Sequence, residues 1–260
     1  MQITPLFRLI VINTNYCARL NIWTLYEPND PAGHLEWIQN ELLKAENDDN
    51  YVHIVGHLPP DSRECTQAWL YNYIQIVTRF QDIIKGQFYG HTHADEIRMI
   101  YSVENANQPV GVEYLSPSLT PWDRYNPAYR IYQSDLSGQI LDYHTYYFDL
   151  HQENLNSFND KNTFNSRKQR NQQSSSQWHF GYSAKQMYQM SNFSVDSWFK
   201  VVNQIKSNKF NMFNNYYQMY FHKSNERVNQ NCNDECKHDI INDIDVHNPF
   251  IQHPKRIKPN

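Results

Sequence analysis

Hydrophobic and polar positions follow two alternating periods over the first ninety residues. Leu6 to Ile12 is an apolar run of strand length, broken only by Arg8. The spacing then changes, and Leu35, Ile38 and Leu42 fall on one face of a helix. Asp30 is placed to cap that helix and Pro31 suits its first position. His34 lies on the same helix, where a solvent-facing side chain is expected. "YVHIV", residues 51–55, is β-rich and runs into Gly56-His57. His53 lies inside this strand and reads as a satisfied core or face residue. Trp69, Tyr73, Val77, Phe80 and Ile84 restore the 3–4 spacing and predict a second helix over 66–86, closed by Gly86. "QFYGH" is the next strand. Strand, helix, strand, helix, strand is an α/β order.

After residue 96 the helices drop out. "IRMIYSV", "VGVEYLS", "YRIYQSD" and "QILDYHTYYFDL" predict four successive strands, with "SPSLTPWDRYNP" as a proline-marked loop. Residues 1–150 form one unit on this reading. Residues 151–182 are rich in Asn, Gln and Ser and read as a polar linker with the composition of a disordered segment. Residues 183–240 return to helical periodicity with many aromatics, and 241–260 form a polar tail. No internal repeat is visible.

The composition allows a real core: 40% of the 260 residues are hydrophobic and 19 are tyrosines. The net charge of -4 is spread out, and Arg167 to Arg170 is too short a basic tract to indicate a nucleic-acid partner. No apolar run approaches the roughly 18–20 residues of a membrane span. The N-terminal apolar stretch lacks a small-residue cleavage site, so it reads as a strand rather than a signal peptide. Cys17, Cys65, Cys232 and Cys236 are even in number. Two disulfides in an oxidising compartment, four reduced thiols, or half a zinc site at "CNDEC" all fit the residues alone.

Candidate chemistry gathers at strand ends. Gly90-His91-Thr92-His93 follows one strand and Gly56-His57 follows another, with a helix between. A glycine there permits a sharp turn that points the next side chain into a site. Ligands in open α/β sheets collect at the carboxyl ends of strands, and imidazole is a common zinc ligand. A pair of loop histidines with no metal explains "GHTH" alone; three histidines at equivalent strand ends favour a metal. Asn192-Phe193-Ser194 is the one glycosylation sequon.

The strand Phe7 to Cys17, "NDPAGHLEW", "VGHLPP", "FYGHTHADE" and "NPAYRIYQSD" resemble, in this order along the chain, the C-terminal half of the acid sphingomyelinase family, within the calcineurin-like metallophosphoesterases. The likeness is close over 6–150 and looser over 183–240. It implies an α/β fold: the C-terminal half of a layered β-sandwich flanked by helices, then a small helical C-terminal region. It implies a two-zinc centre, with His57 and His91 on one ion and His93 on the other, and disulfides Cys17–Cys65 and Cys232–Cys236. Two such ions clamp phosphate oxygens and activate a water. Trp122 matches a tyrosine near the substrate phosphate in that family, and an indole there could stack on choline, worth ~0.5–2 kcal/mol. Arg130 is read as a buttress of the sheet. The implied reaction is sphingomyelin to ceramide plus phosphocholine at a membrane surface, in a secreted or lysosomal setting, with nucleotide phosphodiesters as the alternative substrate class.

The likeness is incomplete. The family's Asp-x-His, Gly-Asp and Asn-His ligands have no counterpart here; Asp245-Val246-His247 is a D-x-H string, but it lies in the tail. The expectation is a chain that supplies part of the ligand set, binds at most one zinc weakly and is inactive without an N-terminal half. The alternative is a non-catalytic secreted remnant or binding domain. Either way, a half-sandwich is expected to expose apolar strand surface.

Overall fold

The computed structural model describes residues 1–162, 177–230 and 232–245. In chain order the first elements are β1 (Gln2–Thr4), β2 (Phe7–Val11), α1 (His34–Asn47), β3 (Tyr51–Val55), α2 (Gln67–Arg79) and β4 (Ile84–Tyr89). Next come β5 (Glu96–Tyr101), β6 (Pro109–Leu115), β7 (Ala128–Ser134) and β8 (Ile140–Phe148). The remainder is α3 (Leu150–Asn162), β9 (Trp178–Ser183), α4 (Ala184–Met187), α5 (Val195–Lys206), α6 (Met212–Tyr220), α7 (Asn225–Val228) and α8 (Asp234–Ile244).

Two sheets result. The larger has the order β1-β2-β3-β4-β6-β5 and the smaller the order β7-β8-β9. β2, β3, β4 and β6 run parallel, while β1 and β5 close the edges antiparallel. Parallel strands buried on both faces need cover on both. On one face α1 and α2 bury Ile38, Leu42, Trp69 and Ile74 with Val52 and Ile54 of β3. On the other, the small sheet and the C-terminal helices bury Met99, Tyr114, Tyr143, Trp198 and Tyr216. β4 shows the alternation: Gln87 accepts a hydrogen bond from the Tyr73 hydroxyl on the α2 side (2.7 Å), while Phe88 meets the Tyr114 and Tyr132 rings opposite.

The α/β class and the layered sheets agree with the sequence reading, but several details differ. The N-cap of α1 is Gly33, not Asp30, because Pro31–Gly33 form a separate 3-10 turn before the helix starts at His34; Asp30 still reaches its first turn, accepting from the Leu35 and Glu36 amides at 2.6 and 3.1 Å. His34 is buried against Tyr16 and Trp69, not solvent-facing. α2 stops at Arg79, so Ile84 and Gly86 belong to β4. Gly86 serves packing rather than capping: a Cβ there would lie 2.8 Å from the Phe88 ring. The segment read as a linker carries α3 at its start and β9 at its end; β9 pairs with β8. The C-terminal helices are no loose appendage, since the Trp198 indole donates to the Tyr114 hydroxyl (2.8 Å) inside the shared core. Ile240 and Ile244 of α8 are buried in the same core. Apolar strand surface is exposed, at Val11 of β2 and at Ile131 and Phe180 of the small sheet. His247 and most of the tail lie outside the described residues.

Candidate functional site

β3 and β4 are parallel neighbours, so Gly56-His57 and Gly90-His91 leave the sheet side by side. The strand ends are stitched together. The Gly56 amide donates to Phe88 O and the Gly90 amide to His57 O, both at 3.0 Å. Gly56 is required by close approach, because a Cβ would sit 2.9 Å from the Tyr89 ring and 3.1 Å from Ile12 and Thr14. Gly90 does not supply the sharp turn expected of it. That role falls on His91 and His93 themselves, at φ 72° and 66°. Non-glycine residues held there cost of order 1–3 kcal/mol each, a strain that recurs at functional sites. The Thr92 amide, donating to Gly90 O at 2.8 Å, tightens the turn.

The result is a histidine cluster at the carboxyl edge of the sheet. The His57 and His91 rings lie edge to face, 5.5 Å between centroids. Partial burial, then repulsion from His91 and His93, hold His57 below the ordinary imidazole pKa. His91 is shifted the other way by Glu64, whose Oε1 lies 3.5 Å from its Nε2. Glu64 was not singled out from the sequence. Its only signal is its place beside Cys65, which forms a disulfide with Cys17. Asp61 shapes the same loop, accepting from the Arg63 and Glu64 amides (2.8 Å each) and pairing with buried Arg98. The second disulfide joins Cys232 and Cys236.

His93 faces a different neighbourhood. Two residues on, the Asp95 carboxylate pairs with Arg130, whose side chain is wholly buried and stacks over the Tyr143 ring. Arg130 therefore braces the turn against the small sheet. The Asp95 amide donates to Tyr220 O (3.2 Å), bringing in the turn after α6. His222 there is buried at φ 50°. Its Nδ1 contacts Asn126 O at 2.8 Å, and the Asn126 side-chain Nδ2 donates back to His222 O at 3.1 Å. A carbonyl only accepts, so Nδ1 carries the proton and Nε2 keeps a lone pair. Burial lowers the pKa of this ring, against the opposing pull of the Asp95 carboxylate and the Asn126 carbonyl. His222 had no supporting context in the sequence, being 129 positions from His93 (222 − 93).

Asn126 closes the loop that carries Trp122. That indole is exposed on a 3-10 turn, Trp122–Arg124. Ser224 and Arg227 hold the loop from below through Arg124 O and Asp123 O. Asn192 is exposed beside the N-cap of α5, its side chain accepting from the Ser194 amide (3.1 Å).

Imidazoles at strand ends fit part of a metal donor set, yet no group of three His, Cys, Asp or Glu converges on one point among the described residues. No described helix is long and apolar enough to cross a membrane.

No family model matches the chain. Individual relatives do. A "Sphingomyelin phosphodiesterase" of Bos taurus is 34% identical over 90% of this chain and 35% of its own length. The chain is similar to the sphingomyelin phosphodiesterases along most of its length. The Homo sapiens protein of that name is 43% identical over 58% of this chain and 24% of its own. "Sphingomyelin phosphodiesterase A" of Dictyostelium discoideum is 33% identical over 90% and 37% respectively. The chain thus spans between about a quarter and just over a third of the length of these relatives. Among solved structures, "Structure of PhoD" superposes with a TM-score of 0.35 and 12% identity over 55% of this chain and 40% of that one, a likeness too slight to argue from.

Proposed function

We propose that the chain is the part of a sphingomyelin-cleaving phosphodiesterase that carries His57, His91 and His93. The observation behind this is the pairing of two strand-end histidine turns, His57 and His91 ring to ring, in a chain similar to proteins named sphingomyelin phosphodiesterases. Zinc, when bound, would polarise phosphate oxygens and lower the pKa of a water. His57 would hold it with His91 on one side of the centre, and His93 would serve the other. Glu64 would orient His91 from behind, as carboxylates commonly do for metal-bound imidazoles. Arg130 and Asp95 keep His93 in its strained turn. Trp122 would meet the choline end of the substrate. The two disulfides support a secreted or lysosomal setting, where Asn192 would be open to glycosylation.

A second reading has its own support. Three donors do not converge among the described residues, which favours a chain that is inactive until further ligands are supplied, or one that serves as a binding domain. Zinc content per chain, with phosphocholine release from sphingomyelin at acidic pH, separates the two. Two zincs with turnover would support a self-sufficient enzyme; one or none, without turnover, would support an incomplete site. Where the wild type takes up zinc, loss of that uptake in His57→Ala and His91→Ala, but not in His179→Ala, is expected. Equal uptake by all three would overturn the ligand assignment.

A further inference from the structure

His222 carries a buried lone pair that no donor meets. The residue is 2% exposed. Its Nδ1 is taken by Asn126 O, and its Nε2 has no hydrogen-bond partner among the described residues. Buried polar atoms in native proteins are nearly always paired, so such an orphan needs a reason. The ring is not free to search for a donor. The bond to Asn126 O, the bond returned by Asn126 Nδ2 and the Tyr125 ring, 5.4 Å away between centroids, set its orientation. The backbone is held as firmly. The His222 amide donates to Met219 O and the Lys223 amide to Gln218 O, both at 2.8 Å, around a residue at φ 50°. A strained position of this kind persists only where its surroundings over-determine it.

The nearest turn of the site supplies a matching group. The Asp95 amide, donating to Tyr220 O, brings residues 93–95 against residues 220–222. His93 is among the groups whose charge reaches the His222 ring, after burial, Asp95, Asn126 and Arg130. The His93 ring makes no hydrogen bond among the described residues. A neutral imidazole has one N–H and one lone pair. One ring therefore lacks a donor, and its neighbour across the turn lacks an acceptor.

Two other buried atoms near this turn are without partners, Arg130 Nε and Thr92 Oγ1. Arg130 is fixed on the small sheet by Asp95, the Tyr132 hydroxyl and the Tyr143 ring. A threonine hydroxyl either donates or accepts and has no particular need of an imidazole. The need of His93 is specific. A histidine that gives one nitrogen to an ion keeps an N–H on the other and almost always donates it. His91 has Glu64 for this purpose.

We propose that His222 is a positioning residue for His93: its Nε2 accepts the ring N–H of His93, which fixes the His93 tautomer and leaves the other ring nitrogen free for an ion. Closing this bond takes a side-chain rotation of half-buried His93, while His222 stays in place. The partner is a neutral imidazole, so His93 is oriented without the negative charge that Glu64 brings to His91. The purpose rests on the zinc reading above, but the bond itself is observable in the zinc-free chain.

The test is nitrogen-15 NMR of the histidine rings in the zinc-free, disulfide-intact chain, at a pH above the ordinary imidazole range. His93 should show a single tautomer, with a coupling across the hydrogen bond from its N–H nitrogen to His222 Nε2. His222→Asn keeps a donor for Asn126 O and removes the Nε2 acceptor, so the His93 ring should divide between both tautomers. A cooperative urea transition would verify that the variant folds; if it does not, the coupling in the wild type decides alone. Where the wild type takes up zinc, His222→Asn should weaken the affinity by about ten- to a hundredfold. Mixed His93 tautomers in the wild type overturn the proposal, as does a single tautomer or an unchanged zinc affinity in folded His222→Asn. A coupling that joins His222 Nε2 to Arg130 Nε also overturns it. A wild type that shows the His93 coupling yet binds no zinc leaves the bond standing and weakens the zinc reading instead.

Discussion

Asp243 gives the fold a pH dependence whose sign can be worked out. Its carboxyl is almost wholly buried under α8, beside the α5–β5 face of the core. Arg63 pairs with it and the Tyr220 hydroxyl donates to it at 3.0 Å, while Arg98 attracts it from β5 and Glu96 repels it. Burial dominates, Glu96 adds to it, and the pKa is pushed up to about 7. The unfolded chain titrates this group near 4. Between pH 4 and 7 the folded chain therefore holds a proton that the unfolded chain has released, so stability falls as pH rises through that window. The contribution is complete below pH 4 and gone above pH 7. Its full size is about 4 kcal/mol, and about 2–3 kcal/mol of it should be lost between pH 5 and 7.5. Asp243→Asn removes the titration and leaves the remaining groups in place. Urea unfolding of both proteins at pH 5, 6 and 7.5 should show the variant gaining on wild type by about 2–3 kcal/mol across the series. A constant difference, or a wild type that gains with rising pH, would mean that Arg63 and Arg98 outweigh burial and the sign is wrong.

Other outcomes are open to measurement. Replacing Cys17 and Cys65 by Ser opens a loop of 48 residues and should cost about 4 kcal/mol from lost chain constraint; the same change at Cys232 and Cys236, four residues apart, should cost less than half of that in the same denaturation assay. Gly56→Ala forces a Cβ against Tyr89, Ile12 and Thr14, so a loss of about 1–3 kcal/mol is expected, with a shift of the His57 imidazole resonances. Trp198→Ala empties a site between both sheets and α5. It should cost about 3–5 kcal/mol, lowering one cooperative transition rather than releasing a separate helical region. His222→Asn, which keeps a donor for Asn126 O and tolerates positive φ, should be milder than His222→Ala by about 1 kcal/mol or more.

What the sequence could reveal depended on how local each cause was. Periodicity located the helix faces Leu35-Ile38-Leu42 and Trp69-Tyr73-Val77 because those contacts lie within one element. It overran at Ile84, where spacing that also fits a helix is overruled by parallel pairing of β4 with β3. It placed His34 in solvent because burial there comes from Tyr16 and Trp69, elements distant in sequence. The polar composition of 151–182 hid β9: its Trp178, Phe180 and Tyr182 are strand-forming residues at the end of a long Asn- and Gln-rich tract. The disulfide pairing came with the family likeness and could not be read from spacing.

The candidate site divides the same way. The side-by-side placement of His57 and His91 was legible because a strand end followed by Gly-His is a local pattern, and His93 follows two residues on. The groups that hold them are not local. Glu64 reaches His91 through a loop shaped by Asp61, Arg98 and a disulfide. Asp95 is locked by Arg130 from the second sheet. The Trp122 loop is tied down by a turn 96 residues further on, at the His222–Asn126 bonds. The strain at His91 and His93 explains the need for these supports. Two non-glycine residues at positive φ cost of order 1–3 kcal/mol each, which isolated strand ends would relieve by relaxing. The small sheet and the C-terminal helices oppose that relaxation. On this view the C-terminal region belongs to the site as much as the strands that carry its histidines. A chain ending before α6 would lose Tyr220 O as the partner of the Asp95 amide and with it the geometry of His93.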